Sequence, residues 1–307
     1  MGGSAAGRGD GRGSNKAGAG AGRGLSASVP RAARRPRPPP SMQCFPSLVL
    51  ALSSLLGALA LLQLSLYLRV PSRYGKHEER LCRPRGRLPA RCAWFLQELP
   101  SFLVPALLLA LRSPPRLEPL GCRLLCCLFC WHYFYRTFIY PFFTRGRPFP
   151  LQLLFFGTLF CIYNGFLQGY YLIYCAEYPN DWCTDIRFTS GLLLFLLGMG
   201  INIHSDLLLR QLRKPGEVTY KIPQGGLFTY VSGANYFGEI VEWFGFAIAT
   251  WSLPAFAFAF FTLCCIGPRA YHHHRYQTVS SYMLLLALEV QFAEHQGGGE
   301  KQGQDSR

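Results

Sequence analysis

Three stretches of this chain, Gln43–Leu68, Pro148–Ala176 and Trp243–Pro268, run without a single charged residue for a length that crosses a bilayer, which takes about 20 apolar residues as a helix. Lipid offers backbone amides no partners, so such runs fold as helices whose hydrogen bonds close internally. Three further stretches are apolar but carry embedded polar groups: Cys92–Leu111 with Gln97 and Glu98, Pro119–Tyr140 with Arg123, His132 and Arg136, and Arg187–Leu209 with Asn202 and Asp206. With a polar-striped helix around 228–248, the sequence predicts an all-α, polytopic membrane protein of about seven transmembrane helices. The run from Trp243 is partly shared with that helix. Mean hydropathy is only +0.15 because two polar tails dilute the apolar middle.

Lys and Arg stay on the cytosolic side of a membrane, so loop charge sets orientation. The loop 69–91 holds eight Lys/Arg against two Glu, and Arg145, Arg147, Arg210, Arg213, Lys214, Lys221 and Arg269 mark the other basic loops. The loop after Ala176 is instead acidic, with Glu177, Asp181 and Asp185 against Arg187. This predicts a lumenal start to the first span and a cytosolic C-terminus. Cys175 and Cys183 flank the acidic loop and are candidates for a disulfide. The net charge of +15 is not a nucleic-acid footprint, because residues 1–41 contribute +7 of it in a Gly/Ala/Arg/Pro-rich stretch that buries little. Residues 1–41 read as a disordered basic extension. Met42 opens the first span as a natural start, and that span is too long for the apolar region of a signal peptide.

The embedded polar residues carry the functional signal, since ionisable groups in a membrane helix mark sites. At about 100° per residue, Asn202, Asp206 and Arg213 lie within roughly 40° of one another on their helix, and Asn235, Glu239 and Glu242 share a face of theirs. Between them KPG and IPQGG read as turns, so the two stripes converge near one membrane surface as a pocket for a polar, anionic ligand. Glu98 in mid-span faces a cavity or takes up a proton. A protonated Glu98 and the phenol of Tyr133, meeting at one oxygen, would clamp a carbonyl and stabilise negative charge developing on it. An interhelical hydrogen bond between the two spans is the competing structural reading. Tyr133, Arg136 and Tyr140 share a helix face, with Arg145 and Arg147 beyond its end; arginines there suit phosphate. Arg269 and His273, four apart, form a further stripe. Cys122, Cys126, Cys127 and Cys130 read as packing residues of an apolar helix, and no metal site is predicted. No GxGxxG or GxxxxGK[ST] occurs, so a dinucleotide would be held by helix side chains.

Those residues sit in LPARCAWFLQELPSF, HYFYRTFIYPFFTRGRPFP, NGFLQGYYLIYCAEYP, LGMGINIHSDLLLRQLRKPGE, YKIPQGGLFTYVSGANYFGEIVEW and RAYHHHR, a series that resembles steroid 5-alpha-reductase (3-oxo-5-alpha-steroid 4-dehydrogenase), nearest its mammalian type 2 form, from about Met42 to Arg275. The resemblance implies a seven-span enzyme of the endoplasmic reticulum membrane that uses NADPH to reduce the C4–C5 double bond of 3-oxo-4-ene steroids such as testosterone. It implies Glu98 and Tyr133 at the 3-keto oxygen and Gln97 near the nicotinamide. Arg136, Arg147, Asn202, Asp206, Arg213, Asn235, Glu239, Arg269 and His273 would hold the cofactor, and Trp94, Phe160 and Phe261 would line the steroid cavity. The partners implied are steroid and membrane lipid, with no obligate protein partner. Phe156 stands in place of a family Arg near the steroid D-ring, and Lys221 replaces another Arg while keeping its charge. Residues 276–307 form an atypical tail in which Gln277 stands where the family has Tyr. An impaired form that binds without turnover follows from that tail. A transporter or receptor would call for inverted repeats or a path across the bilayer, and no internal repeat is present.

Overall fold

The computed structural model describes residues 43–69, 86–111, 120–146, 148–212, 223–272 and 274. The extension 1–41, the tail 276–307, and Arg147, Arg213, Lys221, His273 and Gln277 lie outside the described residues.

Among the described residues seven long helical segments follow one another: α1 Pro46–Arg69, α2 Ala90–Ala110, α3 Leu120–Phe134, α4 Leu151–Tyr170, α5 Ile186–Gln211, α6 Ala234–Thr250 and α7 Leu253–His272. Two of them carry π-helical turns, Tyr135–Ile139 after α3 (then a short turn Tyr140–Phe143) and Tyr171–Cys175 after α4. Five of the seven, all but α3 and α6, are long and apolar enough by themselves to cross a membrane. The chain is thus a multi-pass membrane protein. A two-residue ribbon, β1 Arg87–Leu88 against β2 Phe149–Pro150, ties the starts of α2 and α4 together, so these two helices run parallel with α3 antiparallel between them.

The uncharged run Trp243–Pro268 is not one span. It breaks after Thr250, where Trp251 takes the left-handed conformation at φ 46°. Ser252 then accepts from the Ala255 amide at 3.4 Å, an N-cap for α7, and Pro254 sits in the first turn, where a missing amide hydrogen costs nothing.

Membrane helices associate by close packing and interhelical hydrogen bonds, since lipid removes the hydrophobic drive. The α5–α6 pair is the tightest contact. A Cβ at Gly238 would stand 2.6 Å from the Asn202 nitrogen and 2.8 Å from the Gly198 carbonyl oxygen, so glycine is what lets the backbones meet. Phe195, Trp243 and Phe246 fill the space beside them, fully buried.

One end of the bundle is closed by a disulfide, Cys44–Cys175, with Cα atoms 4.9 Å apart. The candidate Cys175–Cys183 pair does not form, and Cys183 is a free thiol. Sequence proximity favoured Cys183, whereas the bundle returns the end of α4 to the start of α1. At the same end Asp185 caps α5, accepting from the Arg187 amide at 2.8 Å and from its guanidinium at 2.9 and 2.8 Å. These hydrogen bonds hold the Asp185 carboxyl down at about 2.

Candidate active site

The π turn after α3 adds a residue to one turn of helix, and such turns recur at functional sites because they re-aim side chains. Tyr133, just before it, points toward α4, while Arg136, inside it, points between α2 and α5. Arg136 is 7% exposed and lies 3.8 Å from Glu98 on α2 and 3.6 Å from Asp206 on α5. Both separations exceed a direct hydrogen bond. The guanidinium also lies over two rings, Trp94 at 5.1 Å and Tyr140 at 4.5 Å from their centroids, which supplies cation–π attraction in a setting with little water. Glu239 stands within electrostatic reach of Glu98, Arg136 and Asp206. Asp206 Oδ2 is buried without a hydrogen-bond partner among the described residues.

Glu98 and Tyr133 meet around Cys161 of α4. The thiol donates to Glu98 Oε2 across 3.8 Å, and Cys161 and Glu98 both neighbour the phenol. Tyr133 accepts a hydrogen bond from Asn164 at 3.3 Å. Gln97 lies against Gly157, where any side chain would collide with its amide. Phe160 and Phe261 stack on each other, centroids 4.5 Å apart and 16° from parallel, while Trp94 packs edge-on against Tyr140 and Phe149. The bundle therefore unites Phe160 with Phe261 and gives Trp94 to the Arg136 group.

Nearer the basic end, Asn202 donates to the Asn235 carbonyl at 2.9 Å, joining the two predicted stripes through a backbone atom. Glu242 leaves its stripe: its Oε1 is 2.6 Å from His132 Nδ1, both side chains buried beside Trp243. Three residues beyond Glu239 it is too deep in the bundle to share the pocket. Arg269 donates from Nε to the Tyr67 hydroxyl of α1 at 3.0 Å. A cavity of about 350 Å³ opens among Arg145, Leu207, Arg210 and Gln211, and Arg210 stacks over Phe143 at 4.6 Å. Arg147, Arg213 and His273 of the predicted set fall outside the described residues.

Sequence reading missed Asn164, Gln168, Tyr67 and the ligand-facing role open to Arg210. The signal for the first two was present: two amides four apart inside an uncharged span share a helix face, and lipid would not tolerate them there.

A family model described as 3-oxo-5-alpha-steroid 4-dehydrogenase matches residues 147–282. A Sus scrofa protein named 3-oxo-5-alpha-steroid 4-dehydrogenase 2 is 64% identical over 240 residues, covering 76% of this chain and 91% of the relative. The Homo sapiens protein of that name is 64% identical over 235 residues with the same coverage. Identity drops to 50% over 230 residues, 72% of this chain and 88% of the relative, for Homo sapiens 3-oxo-5-alpha-steroid 4-dehydrogenase 1. Seven helical segments with a buried acid and phenol drawn together, joined to identity of this level across nearly the whole relative, place the chain in the 3-oxo-5-alpha-steroid 4-dehydrogenase family of oxidoreductases.

Proposed function

We propose that this chain reduces the C4–C5 double bond of 3-oxo-4-ene steroids, testosterone to 5-alpha-dihydrotestosterone among them, with NADPH, in the endoplasmic reticulum membrane with its C-terminus in the cytosol. The observation that carries the reading is the meeting of Glu98 and Tyr133, buried on separate helices, around the Cys161 thiol.

A nicotinamide cofactor belongs with this family, and the residues fit one. The buried Arg136, the Arg145 and Arg210 cavity and the Asp206 Oδ2, which accepts no hydrogen bond among the described residues, offer cations for a phosphate chain and an acceptor for an amide or hydroxyl. Asn202, Asn235, Glu239, Arg269 and, outside the described residues, Arg147, Arg213 and His273 extend the set. Gln97, next to Glu98 in α2 and lying against Gly157, is the residue that the family resemblance puts near the nicotinamide.

When bound, NADPH supplies the hydride that the steroid accepts at C5. Conjugation carries the electron pair from the C4–C5 bond to the 3-oxygen, and there Tyr133 and a protonated Glu98 donate hydrogen bonds that strengthen as charge grows. One such donor is worth about 3 kcal/mol. Arg136 is too far from Glu98 for a direct hydrogen bond, which leaves that carboxyl able to carry its proton. A proton taken from water at C4, as the enolate returns its electron pair from the 3-oxygen, then completes the saturated ketone. Phe160, Phe261 and Trp94 provide the flat apolar walls that a steroid needs.

Microsomes containing this chain, given NADPH and testosterone, should form dihydrotestosterone. Glu98→Gln and Tyr133→Phe should each lower kcat/KM by roughly 100-fold. Wild-type turnover in both would overturn the clamp. No product from the wild-type chain, and none after a family tail is grafted behind Arg275, would overturn the reductase assignment; product from the graft alone would assign the loss to residues 276–307.

A further inference from the structure

Inside α4, a helix with no charged residue, two amide side chains are almost completely shielded: Asn164 is 0% exposed and Gln168 is 1%. Four residues apart, they lie one above the other on the face turned into the bundle. Their hydrogen bonds form a single line. Gln168 Nε2 donates to the Pro254 carbonyl at the start of α7, at 2.9 Å, and to Asn164 Oδ1 at 3.2 Å. Asn164 Nδ2 then donates to the Tyr133 hydroxyl oxygen at 3.3 Å.

The direction of this line follows from its far end. A main-chain carbonyl can only accept, so the Gln168 atom facing Pro254 must be the NH₂ group. That group has only donors to offer Asn164, so the Asn164 atom facing it must be the carbonyl oxygen. The remaining half of the Asn164 amide, NH₂, is thereby turned toward Tyr133. A phenol oxygen that accepts there keeps its own hydrogen for a different partner. Ser101, which also borders the phenol, donates its one hydroxyl hydrogen to the Cys161 carbonyl at 3.2 Å, so toward Tyr133 it can only accept.

We propose that Asn164 and Gln168 are positioning residues that transmit the polarity of the Pro254 carbonyl to Tyr133, so that its hydroxyl is presented to the ligand as a hydrogen-bond donor. Donation into the phenol oxygen also strengthens the bond that the phenol makes in turn, because hydrogen bonds in a chain polarise one another. The site thus selects a ligand that brings a carbonyl acceptor, and it ties the catalytic phenol to the first turn of α7, the helix that bears Phe261. The inference rests on Tyr133 acting as the ketone donor.

A double-mutant cycle tests it, with kcat for testosterone reduction and Kd for NADPH measured in detergent for Asn164→Leu, Gln168→Met, Tyr133→Phe and the combinations with Tyr133→Phe. Leu and Met keep the volume and remove the amide. Asn164→Leu should lower kcat about tenfold and Gln168→Met by a smaller factor, with NADPH Kd within about twofold of wild type. In the Tyr133→Phe background neither should lower kcat further, since the group they orient is gone. A structural role would instead multiply the two losses. Should Asn164→Leu fail to bind NADPH, Asn164→Ala enters the same cycle; loss of NADPH binding in both assigns Asn164 to bundle stability and overturns the proposal. An impaired Tyr133→Phe with multiplicative losses overturns the relay alone. A fully active Tyr133→Phe overturns the clamp reading on which it rests.

Discussion

The two ends of this bundle are finished to different degrees. At the disulfide end, the carbonyls that helix termini leave without partners are met by side chains: Tyr174 donates to Leu108 at 3.0 Å, Trp182 to Ala249 at 3.1 Å and Tyr178 to Thr250 at 2.8 Å, while Tyr170 donates to the Gln43 carbonyl ahead of α1 at 2.6 Å. The Arg187 guanidinium lies over both Trp182 and Trp251 while it grips Asp185. Around Arg136 the charged groups gather without closing on each other. Arg136 stands 3.8 and 3.6 Å from two carboxylates, and Ser205 Oγ and Asp206 Oδ2 are buried with no hydrogen-bond partner among the described residues. A buried polar atom left so costs about 1–3 kcal/mol. One end is a frame complete in itself. The other holds polar capacity that a bound dinucleotide and ketone can use, and the substitutions below separate the two.

The largest effect is expected where the frame reaches into the site. Gly238→Val would drive α6 away from Asn202 and the Gly198 carbonyl, both main-chain contacts that cannot yield. Overpacking of this kind costs about 3 kcal/mol, or roughly 6–12 °C in Tm. Because the displaced helices carry Asn202, Asp206 and Glu239, NADPH binding should be lost as well. Retained affinity, read by fluorescence titration, would show that the α5–α6 contact does not set the cofactor pocket.

Next comes Cys44→Ser, which opens a link between residues 131 apart in sequence. Stability should fall by about 2–4 kcal/mol. Since Cys44 belongs to the completed end, kcat and NADPH Kd at 25 °C should stay within about twofold of wild type. A selective loss of turnover in folded protein would join the two ends functionally and break the distinction.

Arg136→Lys keeps the charge and removes the planar fork that lies over Trp94 and Tyr140. NADPH Kd should weaken about tenfold, equivalent to about 1.4 kcal/mol, with no change in Tm beyond a few degrees. A large fall in Tm with unchanged Kd would make Arg136 part of the frame.

How far this division was legible in sequence depended on the range of the interaction. Apolar runs are local, so seven helices could be counted from hydropathy alone. Only the break at Trp251 escaped, because its marker, a left-handed residue before a Ser cap and Pro254, interrupts a run with no change in polarity. The charged half was legible because Glu98, Arg136 and Asp206 are conspicuous in apolar helices, and the bundle does gather them. Asn164 and Gln168 carry no charge and passed as part of an ordinary span. Cys44–Cys175 was missed because nothing local in the sequence brings the end of α4 beside the start of α1. The re-aiming of Tyr133 and Arg136 by a π turn depends on how α3 packs, so regular helix geometry placed both on one face.

The smallest effect should come from the exposed charge at the completed end. Asp185 accepts three hydrogen bonds from Arg187, and these lower its carboxyl from an ordinary value near 3.8 to about 2. A carboxyl that is easier to deprotonate when folded stabilises the fold wherever it is ionised. Its contribution is complete above pH 3.8 and is lost as pH falls through about 2. Asp185→Ser retains a capping oxygen for the Arg187 amide and removes the charge, so it isolates this titration from the cap itself. The variant should melt slightly below wild type at pH 6, and thermal scans in detergent should bring the two together near pH 2. Water screens a pair this exposed, so the gap stays small. NADPH Kd and kcat at pH 6 to 7 should not change. A gap that persists at pH 2 would mean that Ser caps α5 poorly and that charge is not the cause. A change in NADPH Kd would carry the electrostatics of the disulfide end into the site, against the division drawn between the two ends.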